Sequence, residues 1–283
     1  MKHGLTGLDH PVIGVRDLDA ARVAWERLGF VVPPRGRHPQ WGTANWCILF
    51  PDNYLELRGV LDPTPAPAVR ELLDFLARRE GLMGVALGTT GARATRESLA
   101  AAGLRPGPVK PLTRDFELPS GTVPVSFELC FLPREEVPGL MHLVICGHLT
   151  PERLRRPEWL RHPNGARSVE ALVAVAPAPD TAAVAWSRLF EEVTSVPGGI
   201  GARIGAGRLW LLTPDAFRVR YPGFEPPPAG EQPCLGAVVL GAHSDGATRD
   251  WLLSRGLGRE TGGRLVAHPE LACGTLLEFT GHP

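Results

Sequence analysis

Two segments of the 283-residue chain repeat one pattern of residues without an insertion or a deletion. They read LDHPVIGVRDLDAARVAWERLGF at 8–30 and VEALVAVAPAPDTAAVAWSRLFE at 169–191. The identical residues that coincide in this alignment include Val12 with Val173, Asp19 with Asp180, and Trp25 with Trp186. Repetition at a fixed offset indicates that one supersecondary unit is used more than once, so it constrains the fold more than any single motif.

Weaker copies of the pattern occupy 82–104, LMGVALGTTGARATRESLAAAGL, and 234–258, CLGAVVLGAHSDGATRDWLLSRGLG. Each copy begins with an apolar run typical of a buried strand. A turn with Asp, Gly or Thr follows, and these residue types can cap a helix. Roughly ten residues with apolar positions at helical spacing come next. Each copy therefore predicts a strand and then an amphipathic helix.

Extended segments separated by glycine and proline follow each helix, and their alternating pattern is typical of antiparallel strands. They are GTANWCILF and NYLELRGV, VPVSFELCFL and LMHLVICGHL, GARIGAGRLWLLT and AFRVRYP, and GRLVAHP and TLLEFTG. The sequence thus predicts an α+β fold with four βαβββ modules. Two modules are expected to form one open, curved, mixed sheet. The predicted domains are 1–148 and 168–283, joined by a charged, proline-rich connector at 149–167.

Charge and cysteine content narrow the classes of partner and compartment. Thirty basic residues balance thirty acidic ones, which argues against a nucleic-acid partner, because such proteins carry a basic face. No apolar run reaches the roughly 18 residues of a membrane helix, and the first residues do not have a signal-peptide pattern. Five cysteines without a CxxC pair predict free thiols in the cytoplasm. We expect a small-molecule ligand and a monomer or homodimer.

The first module resembles the vicinal-oxygen-chelate superfamily, which includes glyoxalase I, extradiol dioxygenases and bleomycin-resistance proteins. The segments that carry the resemblance are DHPVIGVRDLDAARVAWERLGF, RGRHPQWGTANWCILFPDNYLELRGV and HLTPERLRRPEWLRHPNGA. They are most similar to the glyoxalase-like domain subgroup. This resemblance implies two domains, each built from a pair of modules, and it defines the fold better than the activity.

The resemblance also implies a divalent metal ion held by the first and last strands of paired modules. His10 and Glu56 match the family's ligand positions. In the second module Met83 or Gly84 stands where a histidine is expected, and His142 is expected to replace the second glutamate. His148 is the alternative third ligand. Two imidazoles and one carboxylate suit zinc, iron, manganese or nickel with open positions for substrate. Alternatively, Arg58 pairs with Glu56 on the same strand face and removes it from metal binding.

The loop and strand around RGRHPQWGTANW supply candidate substrate-binding residues. These are His38, Trp41, Asn45, Trp46 and Arg37, the last of them for an anionic group. The alternative is a loop held only by its own hydrogen bonds.

The second pair of modules retains little of the ligand pattern. The 161-residue offset places Ala171 at the position of His10, and aligning Trp251 with Trp25 places Gly236 there in module four. Glu278 alone keeps a carboxylate. Two functions follow for the chain: a metal-dependent lyase, isomerase or dioxygenase acting on an oxygen-chelating substrate, or a metal-free protein that binds or sequesters a small molecule.

Overall fold

The structure is a computed structural model, and it describes residues 1–62, 67–140, 142–227, 234–243 and 246–282. Two eight-stranded sheets follow one another along the chain. Every module has the order strand, helix and three strands. The predicted α+β fold of four βαβββ modules is therefore confirmed.

The first two modules form the first sheet. Module one contains β1 (Leu5–Gly14), α1 (Leu18–Arg27), β2 (Gly36–His38), β3 (Thr43–Leu49) and β4 (Tyr54–Val60), and α2 (Pro67–Arg78) follows it. Module two contains β5 (Gly81–Thr89), α3 (Ala92–Ala101), β6 (Lys110–Leu118), β7 (Gly121–Leu132) and β8 (Leu143–His148).

The last two modules form the second sheet. Module three contains β9 (Ala166–Val175), α4 (Ala183–Leu189), β10 (Glu192–Val196), β11 (Gly199–Ile204) and β12 (Gly207–Leu212), and α5 (Pro214–Arg220) follows it. Module four contains β13 (Cys234–His243), α6 (Ala247–Ser254), β14 (Gly258–Thr261), β15 (Arg264–Ala267) and β16 (Leu276–His282).

Helix α1 shows how the repeated segment produces its fold. The Asp17 carboxylate accepts hydrogen bonds from the backbone N–H groups of Asp19 and Ala20, both at 2.9 Å, which caps the helix. The apolar face buries Trp25 completely. Gly29 follows the helix with φ of 88°, a left-handed conformation that terminates helices and favours glycine.

The first sheet is a closed barrel with the strand order β1-β4-β3-β2-β6-β7-β8-β5. The sequence predicted an open sheet, but the short strand β2 pairs with β6 and closes it. Gly36 lies opposite Phe116, and Arg37 lies opposite Asp115. Neither β2 nor β6 was recognised from the sequence, so the closure was not predicted. The strands therefore surround the barrel interior on all sides.

The second sheet is open and has the order β10-β11-β12-β9-β13-β16-β15-β14. Helix α5 packs against it through Phe217, which is buried with the strand residues Val173 and Val266. The prediction of a strand over AFRVRYP is wrong, since residues 214–220 are helical. The Thr213 hydroxyl accepts a hydrogen bond from the backbone N–H of Ala216, and proline at the first helical position favours this helix start.

The two sheets share one hydrophobic core, which includes Leu8 and Val85 of the barrel and Leu172 and Leu240 of the second sheet. The five cysteines form no disulfide, and four of them are buried. No helix of the described residues is long and apolar enough to cross a membrane.

Candidate functional site

The barrel encloses a cavity that leaves about 40 Å³ of space for the centres of water-sized molecules. Its apolar wall includes Leu112, Phe127, Leu129 and Val144, and its polar lining comprises His10, His38, Asn45, Tyr54, Glu56, Arg58, Arg114 and His142. The half-buried lining residues, which include Trp41, Arg58, Phe131 and His142, mark the mouth. A mostly apolar cavity with a few convergent polar groups is typical of a small-molecule site.

His10 lies on β1 with both ring nitrogens near carboxylates. Its Nδ1 is 2.5 Å from Oδ1 of Asp9, and its Nε2 is 3.4 Å from Oε2 of Glu56, which is long for a hydrogen bond. The ring of Tyr54 stacks on the imidazole at 4.3 Å. Burial alone would lower the pKa of His10, but the hydrogen bond to Asp9 and the charges of both carboxylates raise it above the usual value. His10 therefore holds its proton more firmly than an exposed histidine.

Glu56 lies on β4 and is oriented by two neighbours. Its Oε1 accepts a hydrogen bond from Nδ2 of Asn45 at 2.7 Å and from Nε of Arg58 at 3.3 Å. Burial alone would raise the pKa of Glu56, but Arg58 and His10 hold it well below the usual range. Arg58 thus pairs with Glu56, as one of the sequence-based alternatives expected, and Oε2 is the oxygen nearer to His10.

Strand register identifies the equivalent positions in module two. The N-cap of α1 is Asp17 and that of α3 is Gly91, so the offset between modules one and two is 91 − 17 = 74 residues, and Gly84 is the equivalent of His10. The antiparallel register of β1 and β5, in which His10 pairs with Ala86 and Val12 pairs with Gly84, agrees with this offset. On the parallel strands β1 and β4, Glu56 lies opposite Val12. On the parallel strands β5 and β8, Val144 lies opposite Ala86. Because Ala86 is the equivalent of Val12, Val144 is the equivalent of Glu56. The alignment that put His142 at the second glutamate position is therefore wrong by two residues.

His142 and His148 have different surroundings. His142 lines the cavity, but its Nδ1 is 3.4 Å from Oε1 of Glu71 on α2. His148 lies outside the cavity lining, with Nε2 at 2.9 Å from Oδ2 of Asp9. Asp9 therefore bridges His148 and His10. Although burial alone would raise the pKa of Asp9, its hydrogen bonds to both imidazoles hold it well below the usual value.

The residues present match a divalent metal centre only in part. The 3.4 Å between His10 Nε2 and Glu56 Oε2 is compatible with two donors each about 2.1 Å from one ion. Asp9 orients His10 as the carboxylate partner of a histidine ligand does. However, Gly84 and Val144 supply no donor atoms. The predicted trio of His10, Glu56 and His142 lacks ligand atoms that all lie within 4.8 Å of one another.

Another trio in the described part of the chain does meet that distance: Asp9, Cys146 and His148. Cys146 is fully buried, and burial together with the charges of Asp9 and Glu56 raises the pKa of its thiol well above the usual value. A neutral thiol is a poor metal ligand. This trio is accordingly a weaker candidate than the pair of His10 and Glu56.

Three of the predicted substrate-binding residues, His38, Trp41 and Asn45, line the cavity. Burial lowers the pKa of His38 to about 3, so its imidazole is neutral. The expectation for the other two is corrected. Trp46 alternates with Asn45 on β3 and faces outward, where Arg22 of α1 lies over its ring at 5.5 Å. Arg37 is exposed, with Nε at 3.6 Å from Oε1 of Glu117.

Two functional candidates were missed in the sequence, Asp9 and Arg114. Arg114 lies on β6 with 1% exposure and lines the cavity. Its Nη1 donates hydrogen bonds to Sγ of Cys47 at 2.9 Å and to Oδ1 of Asn45 at 3.4 Å. The available signal was an arginine between the apolar residues Leu112 and Phe116, which share its strand face.

The second sheet has no comparable polar cavity lining at the equivalent positions in the described residues. Register places Val239 opposite Glu278 and Ala237 opposite Val173. Ala237, rather than Gly236, is thus the equivalent of His10. Glu278 accepts hydrogen bonds from Arg220 at 2.8 Å and Tyr221 at 2.7 Å, so its charge is already compensated.

Comparison with known proteins agrees with this architecture. The paired βαβββ modules define a protein of the vicinal-oxygen-chelate superfamily. Residues 8–190 match the family described as the glyoxalase-like domain, and the chain belongs to this family. The resemblance inferred from the first module is confirmed. No curated protein matches the sequence.

Solved structures share the whole fold at low sequence identity. A hypothetical protein from Staphylococcus aureus has a TM-score of 0.70 and 11% identity, covering 98% of this chain and 99% of that one. A mutant of 4-hydroxymandelate synthase from Streptomyces coelicolor has a TM-score of 0.58 and 12% identity, covering 99% and 94%. A xylose isomerase-like TIM barrel/4-hydroxyphenylpyruvate dioxygenase fusion protein has a TM-score of 0.55 and 14% identity, covering 99% and 49%. At these identities the likeness concerns the fold alone.

Proposed function

We propose that the first barrel is the active site of a glyoxalase-like enzyme that moves a proton on a small oxygen-bearing substrate, with His10 as the acid–base residue. The observation that carries this proposal is the environment of His10. Asp9 binds Nδ1 at 2.5 Å, while Nε2 lies at the cavity wall with only the long 3.4 Å contact to Glu56. A histidine oriented through one nitrogen leaves the other for substrate.

The surroundings favour proton transfer over simple binding. His10 accepts a proton at Nε2 from the carbon atom beside a carbonyl group of the substrate, and the raised pKa of His10 favours the imidazolium that forms beside the enolate. The imidazolium then returns a proton, exchanged with solvent, to the same carbon atom. The low-polarity wall of Phe127, Leu129 and Val144 strengthens such an interaction, since charges are poorly screened away from water. Asp9 then stabilises the ring in one orientation through the cycle, as carboxylate partners of catalytic histidines do.

A metal-dependent enzyme is the second candidate function, favoured by the donor separation between His10 and Glu56. These residues would hold zinc, iron, manganese or nickel, with His142 or His148 as the third ligand after a side-chain rearrangement. The ion would supply Lewis-acid stabilisation of a substrate oxygen. His10 cannot coordinate an ion through Nε2 and exchange a proton there at the same time, so the two candidates exclude each other.

One set of proteins tests both candidates. We expect wild-type protein to incorporate solvent deuterium into at least one compound from a panel of 2-oxoacids, 2-hydroxyacids and 2-oxoaldehydes, followed by NMR. His10→Asn should lower the rate at least 100-fold, consistent with the loss of an acid–base group, and Asp9→Asn should lower it about tenfold or more. The exposed residue His243 provides the control, and His243→Asn should retain the wild-type rate.

The metal content of protein purified without chelator separates the candidates. Acid–base catalysis by His10 predicts no stoichiometric metal. One equivalent of metal in wild-type protein that is lost in the double variant His10→Ala, Glu56→Ala would support the second candidate. Exchange that survives in His10→Asn, or its absence for the whole panel, contradicts the proposed proton transfer. In the latter case, binding without turnover would favour the metal-free sequestering protein.

A further inference from the structure

Arg114 is a fully buried cation whose hydrogen-bonding groups are half used. Its Nη1 contacts Cys47 and Asn45, but Nε and Nη2 have no hydrogen-bond partner among the described residues. Buried charged donors without a partner are costly and are rare in native proteins. Since Arg114 lines the cavity, the missing partner belongs to whatever the cavity binds.

Gly36 on the neighbouring strand β2 leaves space for this guanidinium because it has no side chain. A Cβ atom at Gly36 would lie 2.5 Å from Cδ of Arg114 and would also collide with the Asn45 amide. The rings of Phe116 and Phe127 lie 5.6 and 5.8 Å from the guanidinium carbon. Aromatic faces and a glycine therefore hold the side chain inside the barrel, and no carboxylate of the described residues lies within ion-pair distance of it.

From this geometry we infer that the cavity takes a monocarboxylate with an apolar or aromatic body, and that Nε and Nη2 of Arg114 bind its carboxylate group. The inference rests on the proposed function, because it names the substrate class of the same site. The two unpartnered nitrogens form one edge of the guanidinium, and their spacing matches the two oxygens of a carboxylate.

The charges around the cavity favour a single negative charge on the ligand. Glu56, the buried carboxylate that lines the cavity, is paired with Arg58, whereas Arg114 has no ion pair with a carboxylate of the described residues. A monoanion therefore compensates the one buried charge that lacks an opposite charge. A phosphate dianion would leave an excess negative charge away from water, which is strongly unfavourable.

The remaining lining indicates the body of the ligand. Trp41 and Phe131 lie at the mouth with their rings 6.4 Å apart, and Leu112, Leu129 and Val144 line the interior. Such a wall favours an apolar or aromatic group over a sugar or a polyamine. The carboxylate at Arg114 would place the adjoining carbon atoms between this wall and the polar pair of His10 and Glu56.

Paired acids and amides test the inference directly. Acetate, propionate and phenylacetate are compared with acetamide, propionamide and phenylacetamide at constant ionic strength, by calorimetric titration. We expect wild-type protein to bind at least one acid at least tenfold more tightly than its amide. Arg114→Met should abolish this preference. Arg37→Met, on the neighbouring strand but outside the cavity, should retain it.

Two further variants distinguish a failure of the carboxylate site from a failure of the acid–base proposal. Arg114→Lys retains the charge, and it should lose most of the preference because an ammonium lacks the two-pronged edge. His10→Asn should retain the preference while losing proton exchange. Equal binding of acid and amide by wild-type protein for all three pairs, or an undiminished preference in Arg114→Met or Arg114→Lys, overturns the inference. If His10→Asn exchanges protons like wild type but the preference depends on Arg114, the acid–base proposal fails and the carboxylate site stands.

Discussion

Single residues decide how the four modules differ. At the position of His10 the other modules carry Gly84, Ala171 and Ala237, and at the position of Glu56 they carry Val144, Trp210 and Glu278. Except for Glu278, these side chains have no metal-ligand atoms. The polar site in the first barrel is therefore asymmetric, because module one alone supplies both His10 and Glu56. The family motif in the sequence was sufficient to select His10 and Glu56 as candidates, and both line the cavity. Arg114 was missed because β6 was not recognised, so its strand face was unknown.

The buried, neutral histidine His162 affects the stability of the protein. Nδ1 of His162 accepts a hydrogen bond from the backbone N–H of Val31 at 3.0 Å, and Nε2 donates to the carbonyl oxygen of Leu49 at 3.0 Å. Burial lowers the pKa of His162 to about 4. The connector is therefore attached to the barrel by an imidazole that must remain uncharged.

We predict that His162 makes the protein less stable as the pH falls from about 6.5 to about 4. In this window the unfolded chain takes up a proton that the folded imidazole does not, so the free energy of unfolding decreases, by up to about 3 kcal/mol. Urea unfolding at several pH values measures this dependence. His162→Gln should make the dependence shallower without removing it, because His38, whose pKa burial lowers to about 3, acts in the same direction, and it should lower stability at pH 7. His243→Gln, at an exposed position, should leave the dependence unchanged, and an equally steep dependence in His162→Gln would contradict the assignment.

Whole elements were predicted best where the repeat is closest. Strand β1 covers residues 5–14 and β9 covers 166–175, so the 161-residue offset holds at both ends. Trp25 and Trp186 are both fully buried. In module four the alignment of Trp251 with Trp25 was wrong by one residue. Strand register makes Ala237 the equivalent of His10, and the same offset makes Leu252 the equivalent of Trp25. Leu252 is fully buried, whereas Trp251 packs near Gly29 instead.

The sequence pattern did not predict the short strand β2 or the short helix α5. Strand β2 has only three residues, too few for a periodic pattern, and it pairs with β6 through only two residue pairs. The alternation in AFRVRYP also fits one turn of helix, and only the Thr213 cap and Pro214 distinguish the two. Tertiary packing decides such cases, since helix α5 buries Phe217 against the second sheet.

Helix α5 provides the element-scale prediction. Phe217 is 1% exposed, whereas Val219 on the same helix is 79% exposed. Phe217→Ala should lower the free energy of unfolding by about 3–5 kcal/mol, because a large buried side chain is lost and a void remains. Val219→Ala should change it by less than about 0.5 kcal/mol. Chemical unfolding measures both, and similar effects for the two variants would mean that α5 does not pack against the sheet as described.

At the scale of the whole molecule, the two sheets are tied by specific hydrogen bonds as well as by the shared core. The Asn53 side chain lies in the loop before β4, and Nδ2 donates to the carbonyl oxygen of Val169 at 2.8 Å. Its Oδ1 accepts from the backbone N–H of Val169 at 2.8 Å. Trp186 Nε1 donates to the carbonyl oxygen of Pro138 at 2.8 Å. These contacts join β9 and α4 of the second sheet to the first barrel.

We therefore predict that the chain unfolds as one cooperative unit, although the sequence predicts two domains. In differential scanning calorimetry the calorimetric and van't Hoff enthalpies should agree, as they do for a two-state transition. Asn53→Ala leaves two buried backbone groups of Val169 unpaired, so it should lower stability by about 2–4 kcal/mol and shift the single transition to lower temperature. Asp52→Ala, at the adjacent exposed position, should shift it far less. Two resolved transitions in wild-type protein would contradict the shared core, because each sheet would then unfold independently of the other.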